Sequence, residues 1–194
     1  MHTTHEIRAQ FDASTITVYQ AYSPAIADAA LEAQRFVAPF SFERMTWVKP
    51  SFLWMMERCG WATKAGQERV LAISMRRPCF DGLVARAVPT HFEPDVDGTP
   101  EAWSARRDAA SALVQWDPER DLRGSKLGTR TIQLGIGRAL SRAYASEWIA
   151  RIDDVTPLVK AVARLRRAGE WDAAAQKLPT ERPYVTAAPG ASSP

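Results

Sequence analysis

The stretch Pro39–Trp61, PFSFERMTWVKPSFLWMMERCGW, constrains the fold more than any other part of the chain. It holds three of the seven Trp and three of the five Met, with Arg44, Lys49, Glu57 and Arg58 set among them. Large apolar side chains gain about 1.5–3 kcal/mol each on leaving water, so a run this dense must be buried. Charges placed inside such a run predict either the wall of a pocket or ion pairs at the edge of a core. Arg44–Val48 reads as a short strand ended by Pro50. Ser51 can cap a helix over Phe52–Arg58 with Phe52, Met55 and Met56 inward, and Gly60 suits its C-terminus.

The flanking segments supply the partners. Thr15–Tyr22, TITVYQAY, is β-branched and aromatic with partial alternation, which predicts a strand. Ser23 and Pro24 then open a helix over Pro24–Arg35. Glu68–Arg76 alternates cleanly and reads as a buried strand. Pro78–Glu101, rich in Pro and Gly, reads as a loop or insertion, and Trp103–Ser111 as a short helix. Leu113–Trp116 and Thr129–Ile136 are strand-like, parted by a charged, turn-rich Asp117–Gly128. Gly137–Ala145 suggests a helical turn, Ser146–Ile152 a strand, Asp153–Gly169 an amphipathic helix, and Trp171–Leu178 a second short one. At the N-terminus, Ile7 and Phe11 are spaced i,i+4, which suggests a turn of helix. Strands and helices are mixed rather than strictly alternating, which favours an α+β fold. Residues 1–184 are expected to form a single globular domain, with 185–194 as a disordered tail.

Composition sets limits on function. The net charge of +3 and pI near 9.1 allow a basic cleft for an anionic ligand but do not by themselves argue for nucleic acid. Cys59 and Cys79 form no CxxC, and with only three His the chain lacks a clustered zinc signature, so no metal site is expected. Two reduced thiols, a polar N-terminus and no apolar run of membrane length lead to a cytoplasmic expectation.

Several residues carry possible chemistry. Gly135–Gly137, GIG, is only half of a dinucleotide fingerprint. Asp117, Glu119 and Asp121 are interleaved with Arg120 and Arg123, as in a solvated, ion-paired turn. His91 is expected at the surface. Lys49, within the aromatic stretch, can be a nucleophile, an anion contact or a structural residue. Arg44, Arg58 and Arg130 suit phosphate oxygens, although pairing of the first two with Glu43 and Glu57 accounts for them equally well. Glu147 opens the strand-like SEWIARI, where a carboxylate can orient a ribose hydroxyl and stabilise cationic charge; an edge-strand Glu in water is the plain alternative.

Two resemblances follow from these segments. ITVYQAY, the long Pro39–Glu68 motif, VQWDPERDL and EWIARIDDVTPLV together resemble a bacterial and fungal family known only as a domain of unknown function, family 4291, over about Arg8 to Tyr184. That likeness implies no activity. More remotely, the order of elements resembles the ADP-ribosyltransferase fold, which implies a split mixed or antiparallel sheet with flanking helices. Gln20 falls where that family has a His, Trp47 where it has a Tyr, and Glu147 where it has its catalytic Glu. The resemblance implies NAD as co-substrate, with Gln20, Trp47 and Glu147 as the catalytic set. Tyr19, Arg44, Lys49, Ser51 and Arg130 would be its contacts, and the acceptor a nucleic acid, a protein, water or a small molecule. Two other readings stay open: nucleotidyl transfer or RNA-end processing through Lys49 or Lys64, and a non-enzymatic module that grips RNA or protein through its aromatic and basic residues.

Overall fold

The computed structural model describes residues 4–187. Two short strands, β1 (Thr4–His5) and β2 (Arg8–Ala9), open the chain. Ile7 and Phe11 therefore lie on extended backbone and not in the helical turn that their spacing suggests. Distant partners decide the matter: Glu6 N donates to Arg130 O at 3.1 Å, and Tyr184 N donates to Ile7 O at 2.7 Å. An isolated turn of helix is too weak to compete with such pairing.

The next elements follow the pattern closely. Strand β3 (Thr15–Tyr22) buries Ile16 and Val18 completely. Helix α1 (Pro24–Ala33) begins at its proline and buries Ala27 and Ala30. Strand β4 (Thr46–Val48) is shorter than expected, and helix α2 (Phe52–Cys59) follows. Ser51 Oγ accepts from Trp54 N, and Gly60, at φ +58°, donates its N–H to Met56 O, so both ends of α2 are capped. Strand β5 (Arg69–Arg76) completes this half.

The expected loop at Pro78–Glu101 is instead mostly ordered. It holds helix α3 (Arg77–Arg86), strand β6 (Val88–Pro89), the short helix α4 (Pro94–Asp97) and the start of α5 (Pro100–Ala109). Three of its prolines sit in the first turn of a helix, where the missing N–H costs nothing, and Pro89 lies on an edge strand. The expected turn at Asp117–Gly128 contracts to a few residues between β7 (Ala112–Arg120) and β8 (Lys126–Ile136). Pro118 is accommodated by a bulge between Pro118 and Arg120.

Helix α6 (Arg138–Ala143) passes into a π-helical turn, Tyr144–Trp148, before β9 (Ile149–Asp154). Glu147 thus lies in a π-turn and does not open a strand. The wide turn buries Tyr144 and Ala145 and leaves Ser146 and Glu147 exposed, a burial requirement that overrides the local alternation. Helices α7 (Thr156–Ala168) and α8 (Trp171–Gln176) and strand β10 (Arg182–Pro183) close the chain. Of the tail expected at 185–194, residues 188–194 lie outside the described residues. Among the described residues no helix is long and apolar enough to cross a membrane.

The architecture is α+β, with mixed and antiparallel sheets. β3, β5 and β9 form an antiparallel three-stranded sheet in the order β3-β5-β9. β8 is the spine of a five-stranded mixed sheet: β7 pairs with one edge, and β1 and β4 follow each other along the other. A two-stranded ladder of β2 and β10 ties the chain's beginning to its end. The main core includes Ile16, Val18, Leu71, Ile73, Ile132 and Leu134; a second, under α2 and α7, gathers Tyr19, Phe52, Met55, Met56, Val70 and Val159.

Candidate functional site

Among the described residues one backbone bridge joins the two larger sheets, which then part. Tyr19 N donates to Lys49 O at 2.7 Å, and Lys49 N to Tyr19 O at 3.3 Å, as an isolated antiparallel bridge. Beyond it, β3 and β4 no longer pair through their backbones. Side chains fill the gap: Gln20 Nε2 donates to Thr46 Oγ1 (2.6 Å), to Tyr22 Oη (2.9 Å) and to Trp47 O (3.2 Å), and Tyr144 Oη donates to Gln20 Oε1 (2.6 Å). Burial raises the phenols of Tyr22 and Tyr144, which keeps both protonated.

A cavity of about 390 Å³ opens at this split. Gln20 and Tyr22 line it from β3, Thr46 and Trp47 from β4 with Lys49 just past its end, Gln115 and Gln133 from β7 and β8, and Met55 and Arg58 from α2. None of its lining residues is acidic. The β-sheet register explains the convergence. Trp47 pairs with Gly135, Val48 with Leu134, and Gln133 with Gln115, so Lys49 stands one step beyond the ladder in the same cross-strand row as the two glutamines. Period-two alternation puts that row on the face that carries Trp47 and Gly135. The glycine leaves room here: a Cβ at position 135 would lie 2.7 Å from Met45 Sδ and 3.1 Å from the Trp47 ring, so both side chains would have to shift. The GIG sequence therefore serves packing at two places: Gly135 against Trp47, and Gly137 against the Ser111 backbone, whose carbonyl oxygen a Cβ there would meet at 2.7 Å.

Lys49 is 6% exposed. Its Nζ makes one hydrogen bond, to Trp47 O at 3.3 Å. Burial, and then the nearby Arg58 guanidinium, push the amine down from 10.5 to about 7, against weaker opposing effects of Cys59 and Asp117. Asp117 itself accepts from Gln115 Nε2 at 2.8 Å and from Gln133 Nε2 at 2.7 Å, which holds both amides in place. Their carbonyl oxygens have no protein donor among the described residues, and remain as acceptors.

The expected site residues divide. Gln20, Trp47 and Lys49 meet at the cleft, joined by Arg58. Gln20 is 3% exposed, with both ends of its amide bonded within the protein, so it braces the split and offers a ligand little. The Tyr19 ring is buried edge-on against Phe52 in the second core, and Ser51 is the cap of α2. Arg44 is exposed and is not a lining residue; the acidic neighbours pair elsewhere, Glu43 with Arg138 and Glu57 with Arg120. Arg130 belongs to another cavity of about 300 Å³, where it donates to Trp116 O beside the stacked His5 and Trp116 rings. Lys64 is exposed.

Glu147 is exposed and is not among the cleft residues. Its carbonyl accepts from Arg76, which pairs with Thr15 at the far end of β3. Gln20 is five residues on from Thr15, roughly 16 Å at strand spacing. The cleft residues that the sequence reading passed over include Tyr22, Thr46, Gln67, Gln115 and Gln133, with Tyr144 behind Gln20. A signal existed: LVQW and TIQLGI each carry a glutamine among apolar strand residues, and a buried amide needs partners.

These features define an α+β protein whose sheets part to form a polar cavity containing a buried amine. The chain belongs to the family described as Domain of unknown function (DUF4291), whose model matches residues 6–184. No curated protein matches it.

Proposed function

We propose that the cleft between β3 and β4 binds a pyrophosphate-bearing nucleotide, NAD foremost, and that the protein is an ADP-ribosyltransferase-like enzyme. The observation that carries this reading is the split itself: an aromatic wall at Trp47, a guanidinium at Arg58, a buried amine at Lys49, and amide acceptors at Gln115 and Gln133 around one cavity with no acidic lining. Trp47 supplies a face for a nicotinamide or adenine ring. Arg58 offers a guanidinium to the pyrophosphate. Asp117 stands behind the lining and holds the Gln115 and Gln133 amides in place. The acceptor of the ADP-ribosyl group is a nucleic acid, a protein, water or a small molecule.

The test is a thermal shift with NAD, followed by chromatography for released nicotinamide. NAD raises the melting temperature and Arg58→Gln weakens the effect, whereas Glu147→Gln leaves it unchanged. Absence of any shift at millimolar NAD refutes the reading; loss of turnover on Glu147→Gln, with binding intact, restores the role first expected for Glu147.

A further inference from the structure

Lys49 differs from every other lysine in the chain. Lys64, Lys126, Lys160 and Lys177 are exposed, whereas Lys49 is buried against the cleft. An ammonium carries three donors. Lys49 has one acceptor, at 3.3 Å, and no ion pair to a carboxylate among the described residues. The groups that bear on it are Arg58 and Cys59 from α2 and Asp117 from β7. Arg58 opposes a second positive charge, and Asp117 already accepts from two amides. A site that solvates the cation so poorly favours the free amine, whose lone pair is the nucleophile.

The surroundings also select the electrophile. Arg58 is an exposed cation on the cavity lining, and the absence of acidic lining residues admits an anion. We propose that Lys49 is a nucleophile that condenses with the carbonyl group of a small anionic aldehyde or ketone held in this cleft. The amine nitrogen bonds to the carbonyl carbon, and one amine hydrogen passes to the oxygen, which gives a carbinolamine. The carbon–oxygen bond then breaks, and that oxygen leaves as water with the second amine hydrogen. A carbon–nitrogen double bond remains, and no oxidant or reductant is consumed. The inference shares with the functional reading only the premise that this cleft takes a ligand; it does not need NAD.

The experiment uses the full chain with glyoxylate or pyridoxal 5′-phosphate near neutral pH, reduction with borohydride, and peptide mass mapping. The Lys49 peptide is expected to label more than about tenfold faster than the peptides of the four lysines that stand in water. Lys49→Met removes the fast adduct while circular dichroism stays unchanged. Arg58→Gln slows labelling by glyoxylate more than labelling by uncharged acetaldehyde. Adducts confined to the exposed lysines with both anionic aldehydes overturn the proposal, and equal slowing of glyoxylate and acetaldehyde overturns the anion-binding part. Saturating NAD that slows Lys49 labelling supports a shared cleft. Fast labelling with no protection leaves the nucleophile standing and counts against NAD alone.

Discussion

Replacing Lys49 by Met separates the cost of the buried amine from its chemistry. Met keeps much of the volume and the flexible chain but carries no charge. The amine falls from 10.5 in the open chain to about 7 in the fold. Between those limits the unfolded chain binds a proton that the folded chain does not, so stability rises with pH across that interval and the penalty is complete below about 7. Each pH unit well inside the interval is worth about 1.4 kcal/mol. From about pH 7.5 to about pH 9.5 the natural chain should gain roughly 2–3 kcal/mol relative to Lys49→Met, because other titrating groups are common to both and cancel. At neutral pH the variant should be the more stable of the two. Urea denaturation of both proteins across that range measures the difference directly. Parallel stability curves, with less than about 0.5 kcal/mol of change in their separation, would refute the argument that Lys49 is held as a poorly solvated amine.

Three further outcomes follow from the same geometry. Gly135→Ala forces the Trp47 ring and Met45 to move, since the new Cβ meets them at 3.1 and 2.7 Å; a loss of about 1–3 kcal/mol in urea denaturation, with altered Trp fluorescence, is expected. Tyr144→Phe removes the donor to Gln20 Oε1 and leaves that oxygen buried, at a cost of about 1–3 kcal/mol in chemical denaturation; an unchanged midpoint would mean that Gln20 is not anchored from this side. Glu181 accepts from Phe52 N at 2.6 Å, and burial with the nearby Glu119 raises its carboxyl to about 8. In this case the folded chain holds the extra proton, so the contribution of Glu181 to stability is present below about 4.5 and declines as pH rises through about 8. Glu181→Gln should flatten that decline in melting temperature, and an equal decline in both proteins would contradict it.

Much of the α+β framework was legible because its signals are local. TITVYQAY alternates and becomes β3 over the residues expected, and the Ser51 and Gly60 signals bound α2. The failures share a cause. Pro78–Glu101 looked like a loop because its prolines count as breakers until their positions in helical first turns are known. Ile7 and Phe11 carried helical spacing, but Ile7 O accepts from the distant Tyr184 N and Phe11 bridges to Ile16. For the site, matching by order along the chain put Gln20 and Trp47 on the two strands that part, yet it could not say which later strand faces them. SEWIARI offered a glutamate and an apparent alternation, and TIQLGI offered a buried glutamine. Only the register of β8 against β4 and β7 decides between them, since it sets Gln133 in the row of Lys49 and Gln115. A one-residue slip would turn that row to the opposite face. The identity of the cleft's chemistry therefore rests on strand register, a long-range property, and the aromatic stretch at Pro39–Trp61 supplies only one wall of it.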